Sequence, residues 1–169
     1  KAKLGERLGT DAPRVRALVV SSFSAGFGAV REILKSEQYA DMITDLVLAD
    51  TLYAGYVEQD GHSVVNPRDM APFERFAHRA TAGEKTFWLT YSQVVPPGYA
   101  STKETAEYLV KQTGGTLEPA TGHDSPGLKL ISKANVGRFF VRGYEGDDGA
   151  AHMQHLFSLD TFYGHASLR

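Results

Sequence analysis

Residues Ala17 to Leu34 read ALVVSSFSAGFGAVREIL. An apolar, β-branched run, predicted as a strand over Val15–Ser22, ends in serines and a glycine pair. From Gly26 the period changes. Phe27, Val30, Ile33 and Leu34 fall on one helical face, and the helix is expected to end near Lys35–Tyr39. A strand that passes at once into a helix through small residues suits two kinds of chemistry. It can raise a nucleophile on the apex of the turn, or it can seat a phosphate at the helix N-terminus.

The chain on either side gives the frame. Val15–Ser22 has almost no polar interruption, as expected of a strand covered on both faces in a parallel sheet. Residues 1–14 are polar, with room for a short helical piece. Met42 to Asp50, MITDLVLAD, reads as a second strand, and residues 51–65 as a loop with Gly55 and Gly61. A helix is predicted from Asn66, which can cap, with Pro67 at its first position and Asp69 three residues after the cap. Lys85–Tyr91, KTFWLTY, is a third strand. Ser101 and Glu104 form a capping box for a further helix, which Gly114-Gly115 stops. Residues 116–127 read as loop. Leu128–Ser132 and Arg138–Tyr144 are strand-like and placed to form a hairpin. A last helix begins near Ala150 or Ala151. Strands alternating with helices predict an α/β fold, a mainly parallel sheet with helices on both faces.

Composition narrows the function. The 169 residues suffice for a single domain with a real core, and 42% hydrophobic with 22% charged residues is ordinary globular usage. A net charge of -2 without a basic cluster argues against a nucleic-acid partner. No apolar run reaches ~18 residues, so no membrane span and a soluble chain are expected. The absence of cysteine excludes disulfides, thiolate catalysis and thiolate metal sites. The histidines show neither H-x-H nor H-x-x-x-H spacing, so neither metal nor cofactor is expected.

Ser22-Phe23-Ser24-Ala25-Gly26 is G-x-S-x-G with serine in the first place. Small residues flank Ser24 because strand and helix approach closely at such a turn. Ser24 is then a candidate nucleophile, and the Ala25 N–H at the helix start a candidate oxyanion donor with the helix dipole behind it. The same pentapeptide is also compatible with a plain turn. A dinucleotide loop on Gly26-Phe27-Gly28 is the weaker alternative, because its third glycine falls on Arg31. A serine needs a base, and the base an orienting acid. Asp50 follows the second strand and His152 the last one, and parallel strands bring their carboxyl ends to one edge. His155, three residues on, competes with His152, which is preferred for its nearness to the Gly/Asp loop. His62, His78, His123 and His165 read as surface residues. Tyr53, Tyr56 and Pro96–Tyr99 lie where they can shape a pocket.

On SFSAG with Gly28, LVLAD, and FFVRGYEGDDGAAHMQHL, the chain resembles the α/β-hydrolase superfamily. The order Ser, Asp, His is the one that superfamily uses. The resemblance spans Val15 to the last helix. It implies a serine hydrolase acting on an ester or amide, with Ser24 as nucleophile, His152 as base and Asp50 as acid. Two departures accompany it. Ser22 stands for the first glycine, and the acid follows LVLAD rather than KTFWLTY, as it does in lipase-like branches. The superfamily also has several strands before the elbow, where this chain has at most residues 1–14. The resemblance therefore covers the C-terminal half of such a domain. It implies that an upstream segment or a second polypeptide completes the sheet.

Overall fold

A computed structural model describes residues 2–9 and 15–164. Its elements are α1 (Ala2–Leu8), β1 (Val19–Phe23), α2 (Phe27–Lys35), α3 (Glu37–Met42), β2 (Asp45–Ala49), β3 (Tyr56–Gln59), β4 (His62–Val65), α4 (Pro67–Thr81), β5 (Thr86–Tyr91), α5 (Thr102–Gln112), β6 (Glu118–Ser125), β7 (Leu128–Val136), β8 (Phe139–Tyr144), α6 (Gly149–Phe157) and α7 (Leu159–Tyr163). The fold is α/β. A six-stranded sheet runs in the order β1-β2-β5-β8-β7-β6. The pairs β1–β2, β2–β5 and β5–β8 are parallel, and β8–β7 and β7–β6 are antiparallel.

Strand alternation sends side chains to two cores. Leu46, Leu48, Phe87, Leu89, Phe139 and Val141 pack with α2, α4 and α5 through Val30, Leu34, Phe73, Phe76, Leu109 and Val110. On the other face Val47, Ala49, Trp88 and Tyr144 pack against Phe162, Leu159 and Tyr163 of α7. Two helix starts follow their sequence signals, at Asn66 and at Ser101, and a third, at Asp148, carries a cap that the sequence reading did not single out. Asn66 Oδ1 accepts from Arg68 N at 3.0 Å. Ser101 and Glu104 close the capping box. Asp148 accepts from Ala151 N at 2.8 Å and starts α6 at Gly149.

Several expectations are corrected. The first strand begins at Val19, and Val15 is exposed. The strand lies at the edge of the sheet, and all five of its residues are only partly buried, so it is not covered on both faces. The second strand starts at Asp45, because Glu37–Met42 winds a short helix first. Residues 51–65 are not all loop. Tyr56–Gln59 and His62–Val65 form a small hairpin whose Asp60-Gly61 turn is left-handed at both positions (φ 52° and 77°). That Asp-Gly pair is the usual two-residue hairpin signal. Residues 118–125 form β6, which pairs with β7 through shifts in register. The alternation in β6 is broken by Pro119 and Gly122, which hides it from a pattern search.

Candidate active site

The carboxyl ends of β1, β2 and β5 lie at one edge of the sheet, and polar residues gather there. After Phe23 the chain makes one 3-10 turn, Ser24–Gly26, and enters α2. Ser24 sits in the left-handed region, φ 54°. A β-carbon on Gly26 would lie 2.8 Å from Ser22 Cβ, so glycine is required where the two sides of the turn meet. Thr51 braces the turn by donating from Oγ1 to Ser24 O at 2.5 Å. Its hydroxyl also meets Ser22 Oγ at 3.2 Å. Holding a non-glycine residue left-handed costs about 1–3 kcal/mol, and the close-packed turn supplies that constraint.

Asp50 is left-handed too, φ 44°, and fully buried. Its backbone N–H donates to Thr90 O at 3.1 Å and to Thr90 Oγ1 at 3.2 Å. Its carboxylate is well supplied with donors. Ser92 N donates to Oδ1 at 2.8 Å and Ser92 Oγ to Oδ2 at 2.7 Å. Thr102 Oγ1, in the first turn of α5, donates to Oδ1. His152 Nδ1 lies 2.7 Å from Oδ2. Burial pushes the carboxyl up, but the neighbouring histidines and the bonds from His152, Thr102 and Ser92 outweigh it and hold it below the usual aspartate range. His155 is neutral above about 4, so at neutral pH the hydrogen bonds carry that effect.

His152 lies in the first turns of α6, and its N–H donates to Asp148 O at 3.1 Å. Its ring stacks on Phe23, the residue before Ser24, with centroids 4.5 Å apart and planes at 27°. The Asp50 carboxylate accepts from Nδ1–H, which fixes the tautomer. Nε2 makes no hydrogen bond among the described residues, and neither does the Ser24 hydroxyl. The Ser24–His152 hydrogen bond is thus not made in this structure.

His155 is placed differently. It is fully buried, its Nδ1 lies 2.7 Å from Thr90 Oγ1, and its Nε2 has no hydrogen-bond partner. Burial pulls its pKa down to about 4. It packs edge-on against Tyr144, centroids 5.5 Å apart. His62, His78 and His123 are exposed, and His165 lies outside the described residues. No family model matches the chain, and no curated protein or solved structure matches it either.

A cavity of about 300 Å³ opens beside Ser24 and Ala25. Phe27, Tyr53 and Tyr99 form its aromatic walls, and Arg31 and Asp69 also line it. Asp69 does not cap its own helix. Its Oδ1 accepts from Arg31 Nη1 at 3.0 Å and its Oδ2 from Gly55 N at 2.9 Å. Tyr56 lies away from this cavity, on β3, and donates to Glu104 Oε1 at 2.9 Å.

Sequence reasoning did not single out Thr51, Thr90, Ser92 and Thr102. A usable signal was there. Each is a small hydroxyl residue within two positions of a strand end or at a helix start, on the edge that carries Asp50. Ser92 stands after the strand KTFWLTY, where the resemblance would put an acid, and instead donates two hydrogen bonds to the acid of the adjacent strand.

Proposed function

We propose that the chain is a serine hydrolase of α/β-hydrolase type that cleaves an ester or amide through an acyl-enzyme. The observation that carries this reading is the pairing of His152 with buried Asp50 while the same ring stacks on Phe23, next to left-handed Ser24. Ser24 Oγ attacks the substrate carbonyl carbon and forms the new C–O bond. His152 Nε2 takes the hydroxyl proton, and Asp50 stabilises the imidazolium through Nδ1–H. The Ala25 N–H stabilises the oxyanion from the 3-10 turn Ser24–Gly26, one residue before the Gly26 cap of α2 and so not at the helix start that the sequence suggests. The bond to the leaving group then breaks, and the leaving group takes the proton from His152. Water, deprotonated by the same nitrogen, releases the acid and restores Ser24.

The same reading includes a further β-strand beside β1, from an upstream segment or a second polypeptide. The outer side of β1 has no strand partner among the described residues. Next to it Leu18, Val20, Ile33, Tyr39 and Met42 line an apolar groove. No helix among the described residues is long and apolar enough to cross a membrane.

A fluorophosphonate probe tests the proposal. The wild-type chain, together with whatever completes it, should be labelled on Ser24, and Ser24→Ala should abolish labelling with its circular dichroism spectrum unchanged. Equal labelling of both proteins would remove Ser24 from the mechanism. A folded wild-type chain that takes no label would point to a non-catalytic α/β binding subunit.

A further inference from the structure

We propose that the cavity beside Ser24 is the acyl pocket, and that it selects compact, uncharged acyl groups, a single aromatic ring or a short aliphatic chain. This rests on the serine-hydrolase reading above and adds the substrate class. The side of the serine on which the cavity lies comes first. Its lining includes Ser24 and Ala25, the attacking residue and the oxyanion donor, but neither His152 nor Asp50. The leaving group must receive its proton from His152, so it departs on the histidine side. The part of the substrate that stays bonded to the carbonyl carbon occupies the other side, where the cavity is.

Size and wall chemistry narrow the acyl group. About 300 Å³ is at the small end of ligand pockets. Phe27 meets Tyr53 edge-to-face at 5.5 Å, and Tyr53 meets Tyr99 in the same way at 5.4 Å. Such a chain of rings offers a fixed aromatic surface on which a flat apolar group loses little further freedom. The Arg31–Asp69 pair bounds the cavity, with Gly55 N holding the second carboxylate oxygen. On that side a long alkyl chain meets the ion pair, and in the other direction it runs out over the exposed rim at Tyr99, where it buries little of its length.

Charge decides the remaining property. Arg31 and Asp69 neutralise one another at 3.0 Å, so the lining has no net charge to offer. An anionic acyl terminus placed there has to compete with Asp69 for Arg31, and a cationic one with Arg31 for Asp69, so a charge of either sign gains little for the water it gives up; Arg31 also sits 5.9 Å from the centre of the Phe27 ring. Tyr53 contributes a neutral donor. Its hydroxyl makes no hydrogen bond among the described residues, and burial followed by the Asp50 charge pushes its pKa up, so it keeps its proton.

The test keeps one leaving group and varies the acyl part. Hydrolysis of p-nitrophenyl acetate, butyrate, benzoate, decanoate and hemisuccinate is measured with Ser24→Ala as background, beside fluorophosphonate labelling of the same samples. Butyrate and benzoate should exceed decanoate and hemisuccinate in kcat/KM by about tenfold or more. Ala54→Leu, which fills the cavity, should lower the benzoate-to-acetate ratio. Tyr99→Ala, at the exposed rim, should raise decanoate relative to butyrate, and it serves where Ala54→Leu does not fold. Ser24-dependent labelling with a flat acyl profile, or with decanoate or hemisuccinate preferred, overturns the pocket assignment and leaves the hydrolase reading standing. No labelling and no Ser24-dependent turnover overturns the hydrolase reading, and the pocket assignment falls with it.

Discussion

The two ends of the parallel strands both bury charge, and they use it differently. At the amino end Lys85 is buried to 7% exposure, and its ammonium donates to Asp41 O at 2.8 Å and Ile43 O at 2.7 Å. These carbonyls belong to the end of α3 and the loop after it, so the charge closes a helix end. Nearby Arg138 donates to Thr86 Oγ1 at 2.6 Å, and Thr44 to Asp45 Oδ2 at 2.7 Å. At the carboxyl end buried Asp50 is bound instead to a partly exposed histidine that keeps one nitrogen open. Ser24 and Asp50, both non-glycine and left-handed, stand there, whereas the third such residue among those described, Asp60, serves the β3–β4 turn. Buried charge alone therefore does not mark a site. What sets the proposed site apart is buried charge joined to left-handed backbone and an unused hydrogen-bonding atom.

The sharpest way to break this contrast is to remove one charge from each end. Asp50→Asn keeps the shape but takes the charge from the histidine and allows the wrong tautomer. The rate of fluorophosphonate labelling should fall roughly 10³–10⁴-fold. Lys85→Met leaves two carbonyls without their donor and should cost about 1–3 kcal/mol in urea denaturation, with the labelling rate of the folded fraction unchanged. Should Lys85→Met slow labelling as much as Asp50→Asn, the division between the two ends would be wrong.

Much of this was legible in the sequence, and the gaps have physical causes. The capping box at Ser101 and Glu104, the Asn66-Pro67 start and the Ser24 turn are local arrangements, set by residues within a few positions of one another. The convergence of Asp50 and His152 follows from parallel pairing, which brings strand ends together whatever their separation in sequence. What was hidden depends on tertiary partners. β6 is held by its pairing with β7 and not by any alternation of its own. The helical turn at Glu37–Met42 displaces the strand start that Met42 and Ile43 suggest. Asp69 occupies a capping position, but Arg31 and Gly55, brought close by the fold, claim its carboxylate.

Acid sharpens the contrast within the carboxyl end, between two histidines three residues apart. His155 is neutral and buried, with a pKa of about 4 against an ordinary 6.5. Between those values the unfolded chain binds a proton that the folded chain refuses, so stability rises with pH. This contribution is complete above about 6.5 and is lost as pH falls toward 4, a change of about 3 kcal/mol. Asp50, whose pKa is lowered from 3.8, adds a loss of the same sign at still lower pH. Urea unfolding followed from pH 7 to pH 4 should show the decline, and His155→Phe should flatten it. A slope unchanged in that variant would assign the acid sensitivity to other groups.

The smallest effect compares Ser24 with Asp60, two residues with nearly equal φ, 54° and 52°. Serine gains little in the left-handed region, whereas aspartate tolerates it through local hydrogen bonding. The Ser24 hydroxyl makes no hydrogen bond among the described residues, so its loss costs no contact. Ser24→Gly should therefore stabilise the fold by roughly 0.5–1 kcal/mol, the relief of strain less the greater backbone entropy of glycine. Ser24→Ala keeps the β-carbon and should give no such gain. Asp60→Gly should change stability by less than Ser24→Gly, because its turn demands the same conformation from a residue better suited to it. Chemical denaturation of the three variants measures the differences directly. A Ser24→Gly protein no more stable than Ser24→Ala would mean that the turn at Ser24 holds no strain, and the carboxyl end would lose one of the two features that set it apart from the amino end.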